Sequence, residues 1–554
     1  MSIVDTIADR NRLLFERCKT LGDEVYSDHL GLVLRPNVEA SLKDRWGYDV
    51  VQSSVWYAVS LARWCRDHPE NSERERDRLN RLVSTMASYQ DRDSSSETYG
   101  NLYWRVGWTD VKDRNGISFW SPEAGLIYLE HRDLLTDQTN AELEATLQLC
   151  IEGLDRHRPR WQYTNIFLLN ILSRLTLARA LDRSDVLEKA ENDWDLWFVE
   201  TGKGGLTEYN SPTYIVTALA PLGRMLLFCR EAMRAQVEQT LECLYADFFW
   251  HYHQPSGGLA GAMSRAYPGD WLHNSMTNHI AFQQLGEPHE AINLTTPFTA
   301  ASEYLAPERL RAVGTIDKAG TTVSAAIPDL NIERQAYFGN TFALGVKSGP
   351  AYGKQELPLT IAYPGKRQHL VYLHEASEVR PATHAALDGP NALILLDLPD
   401  SESGAAPPHA WMKVRLGRRS EFDAISIDQT PWDGDYRALS SEQVVCFTTE
   451  SLTIAFRVAE MSPEPSATLF LWNDYQTDQL TIEVIAPRAT RVAIGIGISE
   501  TGAARVSPIE PTRTGCRLTD GTLSVTTGDS VADETPLLDA PGFVWRQNWN
   551  IETK

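Results

Sequence analysis

Residues 161–180 read WQYTNIFLLNILSRLTLARA, a long apolar run whose spacing predicts an α-helix. The same pattern recurs on both sides of it. Ser53 to Trp64 (SSVWYAVSLARW) sets Val55, Trp56, Ala58, Val59 and Leu61 at helical spacing, and Leu187–Phe198 and Glu231–His251 repeat it. The connections carry glycine, proline and aspartate. Many helices joined by short loops predict a helical toroid or array over residues 1–300, and no fixed-period repeat indicates a solenoid.

From about Gly314 the periodicity changes. Thr341–Val346, Ala392–Leu398, Trp411–Leu416, Leu452–Val458, Ala467–Trp472, Leu480–Ile485 and Arg491–Ile498 are short β-rich runs separated by turn residues. Runs of this kind predict an antiparallel β-sandwich. Helices first and strands second imply two segregated domains rather than an α/β sheet. The expected organisation is an N-terminal (α/α) toroid (an incomplete barrel) over residues 1–300, a linker over 301–319, and an antiparallel β-sandwich over 320–554.

Composition narrows the function. The 554 residues are 42% hydrophobic and 23% charged, as in ordinary globular proteins. The net charge of −22, from 52 basic and 74 acidic residues, argues against nucleic acid as a partner. An anionic ligand would need a local basic pocket, and Arg156–Arg160 and Arg265 are the places for one. No apolar run reaches membrane-spanning length, and Met1–Arg10 lacks the character of a secretion signal, so a cytoplasmic location is expected. The seven cysteines are scattered without a CxxC pair, which predicts reduced thiols rather than a disulfide framework or a zinc site. There is no GxGxxG after a strand, no Walker loop, no HExxH and no GxSxG, and with them go the nucleotide, zinc-protease and serine-hydrolase readings.

Four polar constellations lie among the many tryptophans of the helical half, which either fill its core or line a sugar-binding groove. The first places Asn165 at the mouth of the apolar helix, beside Trp161; asparagine is a poor helix former, and its amide can donate to a carboxylate without adding charge. The second is Gly204–Tyr214 (GGLTEYNSPTY). Here Ser211 as N-cap and Pro212 at the first helical position predict a helix start, with Tyr214 in a first turn that favours negative charge. Glu208, Tyr209 and Asn210 precede it. The third is Gly261–Tyr267 (GAMSRAY), a turn presenting Arg265 and Tyr267. The fourth is Trp271–Asn274 with His279. The six-residue spacing of His273 and His279 suits no metal site, leaving His273 as a structural histidine or a base.

These motifs, in this order and on this architecture, resemble the toroid-plus-sandwich polysaccharide lyases: the chondroitin AC, hyaluronate and xanthan lyases, and the heparinase and oligoalginate lyases. Asn165, Tyr214 and Arg265 (in Gly261–Arg265) match the first group's Asn-bearing helix, catalytic tyrosine and Gly-x-x-Ser-Arg motif. Glu208, Ser211-Pro212 and Tyr214 match the heparinases. Gly100–Trp104 through Asn115 looks like the early helical region of such enzymes. Two departures stand out: Ile215 replaces the histidine that follows the tyrosine in heparinases, and the histidine that precedes it in the chondroitin AC type has no counterpart.

The resemblance implies a lyase that cleaves an anionic, uronate-containing glycan by β-elimination without metal or cofactor. Tyr214 or His273 would act as base, Asn165 and Arg265 would neutralise the substrate carboxylate, and Glu208, Tyr209, Asn210, Tyr267, Trp104, Trp161 and Asn115 would hold the sugars. The alternatives are a glycoside hydrolase pairing Glu208 with a second carboxylate, Glu123 or Asp270, and a non-catalytic carbohydrate-binding protein.

Overall fold

The computed structural model describes residues 6–34, 48–266, 275–287, 297–327, 330–351, 355–364, 369–375, 381–398, 409–441, 443–461, 467–474, 478–487, 490–512, 515–527, 539–540, 543–544 and 548–553. Two compact units are interleaved along the chain. Met1–Glu200, Tyr214–Ala246 and Ser275–Arg311 make the first, and Thr201–Thr213, Asp247–Asn274 and Ala312–Lys554 the second.

The first unit is helical: α1 (Ile7–Val25), α2 (Ser53–Asp67), α3 (Glu73–Ser88), α4 (Gly116–His131), α5 (Asp137–Arg156), α6 (Thr164–Ala180), α7 (Ser184–Gly204), α8 (Tyr214–Met225), α9 (Glu231–His251) and α10 (Ser275–Leu285). Two kinds of helix alternate. α3 buries only Leu79, Leu82, Val83, Met86 and Ala87, the single stripe of a helix with one face in water. α4 and α6 are buried around most of their circumference. α2, α4, α6 and α8 form an inner row, each packed on the next; α1 and α3 lie against α2, and α5 lies against α4 and α6. This alternation of inner and outer helices is that of an (α/α) toroid.

α4 and α6 run in the same direction. Near their starts Ser118 donates to Asn170 Oδ1 at 2.8 Å. Further along, Gly125 lies so close to Thr176 that a Cβ would stand 2.7 Å from the threonine methyl. Pro122 inside α4 cannot donate to the Ser118 carbonyl; the Ser173 hydroxyl, which donates to the Leu169 carbonyl at 2.7 Å, stands 3.4 Å from it. Thr136 caps α5, its hydroxyl accepting from the Thr139 N–H at 3.2 Å. Among the described residues no helix is long and apolar enough to cross a membrane.

The second unit holds two large antiparallel sheets. The ten-stranded one runs in the order Tyr436–Leu439, Thr468–Asp474, Gln479–Pro487, His409–Arg418, His369–Glu375, Leu359–Tyr363, Ala343–Ser348, Ile332–Phe338, Thr321–Ile327, Asn548–Thr553. The seven-stranded one runs Ala382–Asp388, Asn391–Asp397, Arg491–Ser499, Thr453–Glu460, Val445–Thr448, Ala424–Ile427, Thr430–Pro431. Val346, Ile361, Val414 and Ile482 of the first meet Ile394, Ile454, Phe456 and Ile494 of the second in one core, so the sheets form a sandwich. A third layer adds to it. Cys516, Leu518, Leu523 and Val525, in and beside a three-stranded sheet, cover Leu393, Leu395, Ala455 and Ala493 on the back of the seven-stranded sheet. Burial on both faces explains why Asn391–Asp397 (NALILLD) reads as a continuous apolar run rather than an alternation. All seven cysteines are free thiols.

Candidate active site

Two of the sequence motifs meet in the second unit. Asn210 takes a left-handed conformation, φ +42°, and its amide donates to the carbonyls of Ala260 (2.6 Å) and Ala262 (3.0 Å). The Ser264 hydroxyl donates to the Tyr209 carbonyl at 2.7 Å. The Ser211 hydroxyl donates to the Arg265 carbonyl. Glu208 forms an ion pair with Arg265, whose Nε donates to Gln355 Oε1 at 3.0 Å. The Gly-x-x-Ser-Arg segment is thus stapled along Glu208–Ser211. Its other side pairs with the chain at Leu357, where Met263 and Leu357 exchange main-chain hydrogen bonds of 3.0 and 2.8 Å. Gly261, at φ +94°, lies flat on Gly345; a Cβ on Gly345 would stand 2.2 Å from the Gly261 Cα. The motif therefore needs Gly261 for its conformation, and the close approach needs Gly345. Glu208 is 4% exposed and Arg265 21%, so a buried carboxylate holds a guanidinium that still reaches solvent.

A row of buried charges lies behind this loop. The Tyr209 hydroxyl donates to Glu356 Oε1 at 2.9 Å, and Glu356 is paired with Lys347, whose ammonium is destabilised first by burial and supported by that carboxylate. Arg334 lies over the Tyr209 ring at 4.7 Å and pairs with Asp247 at 3.2 Å. Burial alone would raise the Asp247 carboxyl, but Arg334 and His251 hold it well below the usual range. Sequence reasoning missed Lys347, Glu356, Arg334 and Asp247. The trace they leave is a charged residue on a buried strand, as in ALGVKS, where Lys347 shares a face with Gly345.

These contacts correct three expectations. Tyr209 is fully buried between Arg334 and Glu356, and Asn210 is buried with its amide on two carbonyls, so neither is available to a sugar. Pro212 is not the first helical residue: α8 begins at Tyr214, and the Ser211 hydroxyl donates to the Arg265 carbonyl.

In the helical unit, Tyr214 is the first residue of α8 and is buried. Asn165, second residue of α6, is also buried. Asn115 stands at the N-cap position of α4, and its amide donates to the Tyr163 hydroxyl just before α6 at 3.2 Å, so the starts of the two parallel helices are tied together. Asn101 fixes α4 from the other side: its carbonyl oxygen accepts from Leu102 (2.8 Å) and Ile117 (3.1 Å), and its amide donates to the Arg114 carbonyl. Trp161 is half-buried. Trp104 is 9% exposed and edge-on to Phe119 at 5.5 Å, which makes it a core residue and corrects its assignment to a sugar-binding groove. Glu123 is buried and paired with Arg224. Burial raises its carboxyl, and Arg224 offsets this only in part. His279 is buried in α10, where desolvation lowers its ring to about 3. Tyr267, Asp270 and His273 lie outside the described residues.

Residues 12–301 match a family described as a domain of unknown function, DUF8769. The chain belongs to this family. The DUF8769 region takes in Asn165, Glu208, Tyr214 and Arg265. No curated protein matches the sequence. Among solved structures the chain is similar to a heparan sulfate lyase variant from Pedobacter heparinus, at 10% identity and TM-score 0.39, covering 83% of this chain and 77% of that one. It is similar to a Paenibacillus xanthan lyase at 8% identity and TM-score 0.42, covering 91% and 58%. It is also similar to a chondroitin AC lyase variant from Streptomyces coelicolor at 10% identity and TM-score 0.40, covering 89% and 79%.

Proposed function

We propose that this protein is a lyase that cleaves a uronate-containing oligo- or polysaccharide by β-elimination. The observation that carries the reading is the stapling of the Gly-x-x-Ser-Arg segment onto Glu208–Ser211: Asn210 donates to the Ala262 carbonyl, Ser211 donates to the Arg265 carbonyl, and Glu208 pairs with the Arg265 guanidinium. Two short motifs more than fifty residues apart are thereby held together, and Tyr214 follows the first of them in sequence.

The chemistry needs few parts. The C5 proton of a uronate is weakly acidic because the carboxylate beside it is already charged. The Asn165 amide and the Arg265 guanidinium hold that carboxylate and stabilise the charge that grows on it as the proton leaves. Tyr214, as phenolate, takes the C5 proton, with His273 as the alternative base. The electron pair becomes the C4–C5 double bond, the C4–O bond breaks, and the phenol returns a proton to the leaving glycosyl oxygen. Glu208 orients Arg265 and keeps it from collapsing onto other groups. Against the hydrolase alternative, Glu208 is engaged by Arg265 and Glu123 by Arg224.

The test is a panel of uronate glycans and their oligomers followed by ultraviolet absorbance, since elimination alone creates a conjugated unsaturated uronate. Reducing ends that appear without this absorbance would show hydrolysis and reject the reading.

A further inference from the structure

The back of the ten-stranded sheet carries an aromatic surface that takes no part in the proposed chemistry. Ala410, Met412, Val414 and Leu416 point into the sandwich core, so Trp411, Lys413 and Arg415 point outward. Register places Lys413 beside Glu483 and Phe470, and Arg415 beside Thr481 and Trp472. Tyr436 on the edge strand stands opposite Trp472, its ring 5.3 Å from that of Phe470. Trp411 is 46% exposed and Tyr436 61%. Alternate residues on a strand lie about 7 Å apart and neighbouring strands about 5 Å, so these rings cover an area that suits a short oligosaccharide.

The cations on this face differ in how they are used. Lys413 pairs with Glu483 at 3.3 Å and lies 5.4 Å from the Trp472 ring centre. Arg415 makes one hydrogen bond, to the Thr481 hydroxyl at 3.3 Å, and no ion pair among the described residues. In a chain of net charge −22, a guanidinium that has no carboxylate partner among the described residues and lies beside such rings is unusual. Aromatic faces stack on the C–H faces of sugar rings, and a guanidinium receives a carboxylate or sulfate through paired N–H donors.

We infer that this face, centred on Trp411, Trp472, Tyr436 and Arg415, is a second glycan-binding surface that takes an acidic oligosaccharide. The rings supply sequence-tolerant stacking and Arg415 selects for negative charge. The inference stands apart from the elimination chemistry, since none of its residues belongs to that site.

The experiment is affinity electrophoresis of the full chain in gels containing hyaluronan, chondroitin sulfate, heparan sulfate, alginate or polygalacturonate, with a soluble neutral β-glucan as control. Wild type, Tyr214→Phe, Arg415→Ala and the double variant Trp411→Ala/Tyr436→Ala are compared, with circular dichroism and melting temperature checking that each is folded. Retardation by at least one acidic glycan is expected, undiminished in Tyr214→Phe and reduced several-fold in both face variants. No retardation of wild type, equal retardation of the face variants, or equal retardation by neutral glucan overturns the inference. So does sedimentation showing a dimer that Trp411→Ala/Tyr436→Ala abolishes, because a second copy of the chain then occupies the face. Face-dependent retardation with no unsaturated product rejects the lyase reading alone; elimination without such retardation rejects this inference alone.

Discussion

Glu208 and Arg265 form an ion pair across fifty-seven positions of sequence. A carboxylate that is nearly inaccessible fixes a guanidinium that is not, which suits Arg265 to a task in which its direction matters. Arg265→Ala is expected to lower kcat by about 10²-fold with little change in KM, because the charge it meets grows only in the transition state. Glu208→Gln keeps the shape but frees Arg265, and should lose less in kcat than Arg265→Ala. Initial rates over a range of substrate concentrations check both; a rise in KM at unchanged kcat for Arg265→Ala would reassign it to ground-state binding.

Tyr214→Phe removes one oxygen from the first turn of α8. Turnover should fall by more than about 10²-fold with melting temperature unchanged, as is typical when a proton-transfer group is lost. Asn165→Ala should likewise act on kcat before KM. If purified Tyr214→Phe turns over like wild type, the residue is merely packed and the base must be sought elsewhere, His273 first.

The contact of Gly345 with Gly261 leaves no room for a methyl group. Gly345→Ala should cost about 1–3 kcal/mol, as overpacking does, and should also lower activity, since what it displaces is the segment carrying Arg265. Urea denaturation and turnover are the measurements; a variant with lower stability and full activity would separate the segment from the chemistry.

Trp104 and Trp161, both expected at a sugar-binding groove, should now behave differently. Trp104→Ala leaves a core cavity and should cost about 3–5 kcal/mol in urea denaturation. Trp161, half-buried, should tolerate alanine with a small loss of stability and, as a platform for sugars, a raised KM.

Acid should weaken the fold through its buried histidines. Burial lowers His131 and His157 to about 4 and His253 to about 3 from an ordinary 6.5. Between about 6.5 and about 4 the unfolded chain binds protons that the native one refuses, so stability falls as pH drops through that window and is insensitive to these groups above it. The urea midpoint should decline accordingly, and His131→Gln should flatten part of the slope.

Much of the fold could be read in the sequence because it rests on periodicity. Glu231–His251 is helical over the span its apolar spacing indicates, and the runs beginning near Ala392, Leu452 and Arg491 are strands. The third β layer was not legible: the apolar run NALILLD shows that both faces are covered but not by what. At the candidate site the motifs singled out Glu208 and Arg265, which pair with each other, but carried no sign that Tyr209 and Asn210 are buried. Their partners are the main-chain carbonyls of Ala260 and Ala262, which carry no side-chain signature, and the charged groups Arg334 and Glu356, which lie more than a hundred residues away.

The interleaving of the two units bears on how the protein can be divided. The chain passes between them five times, at the joins of the six segments given above. A fragment ending near residue 300 would therefore keep the Gly-x-x-Ser-Arg segment but lose Gly345, Gln355 and Leu357, the floor and edge on which that segment rests. Separate expression of a helical half should yield a protein whose helices form while its Arg265 loop has nothing to lie on. Mixing the two halves, rather than either alone, is the route by which a split version could regain what the intact chain does.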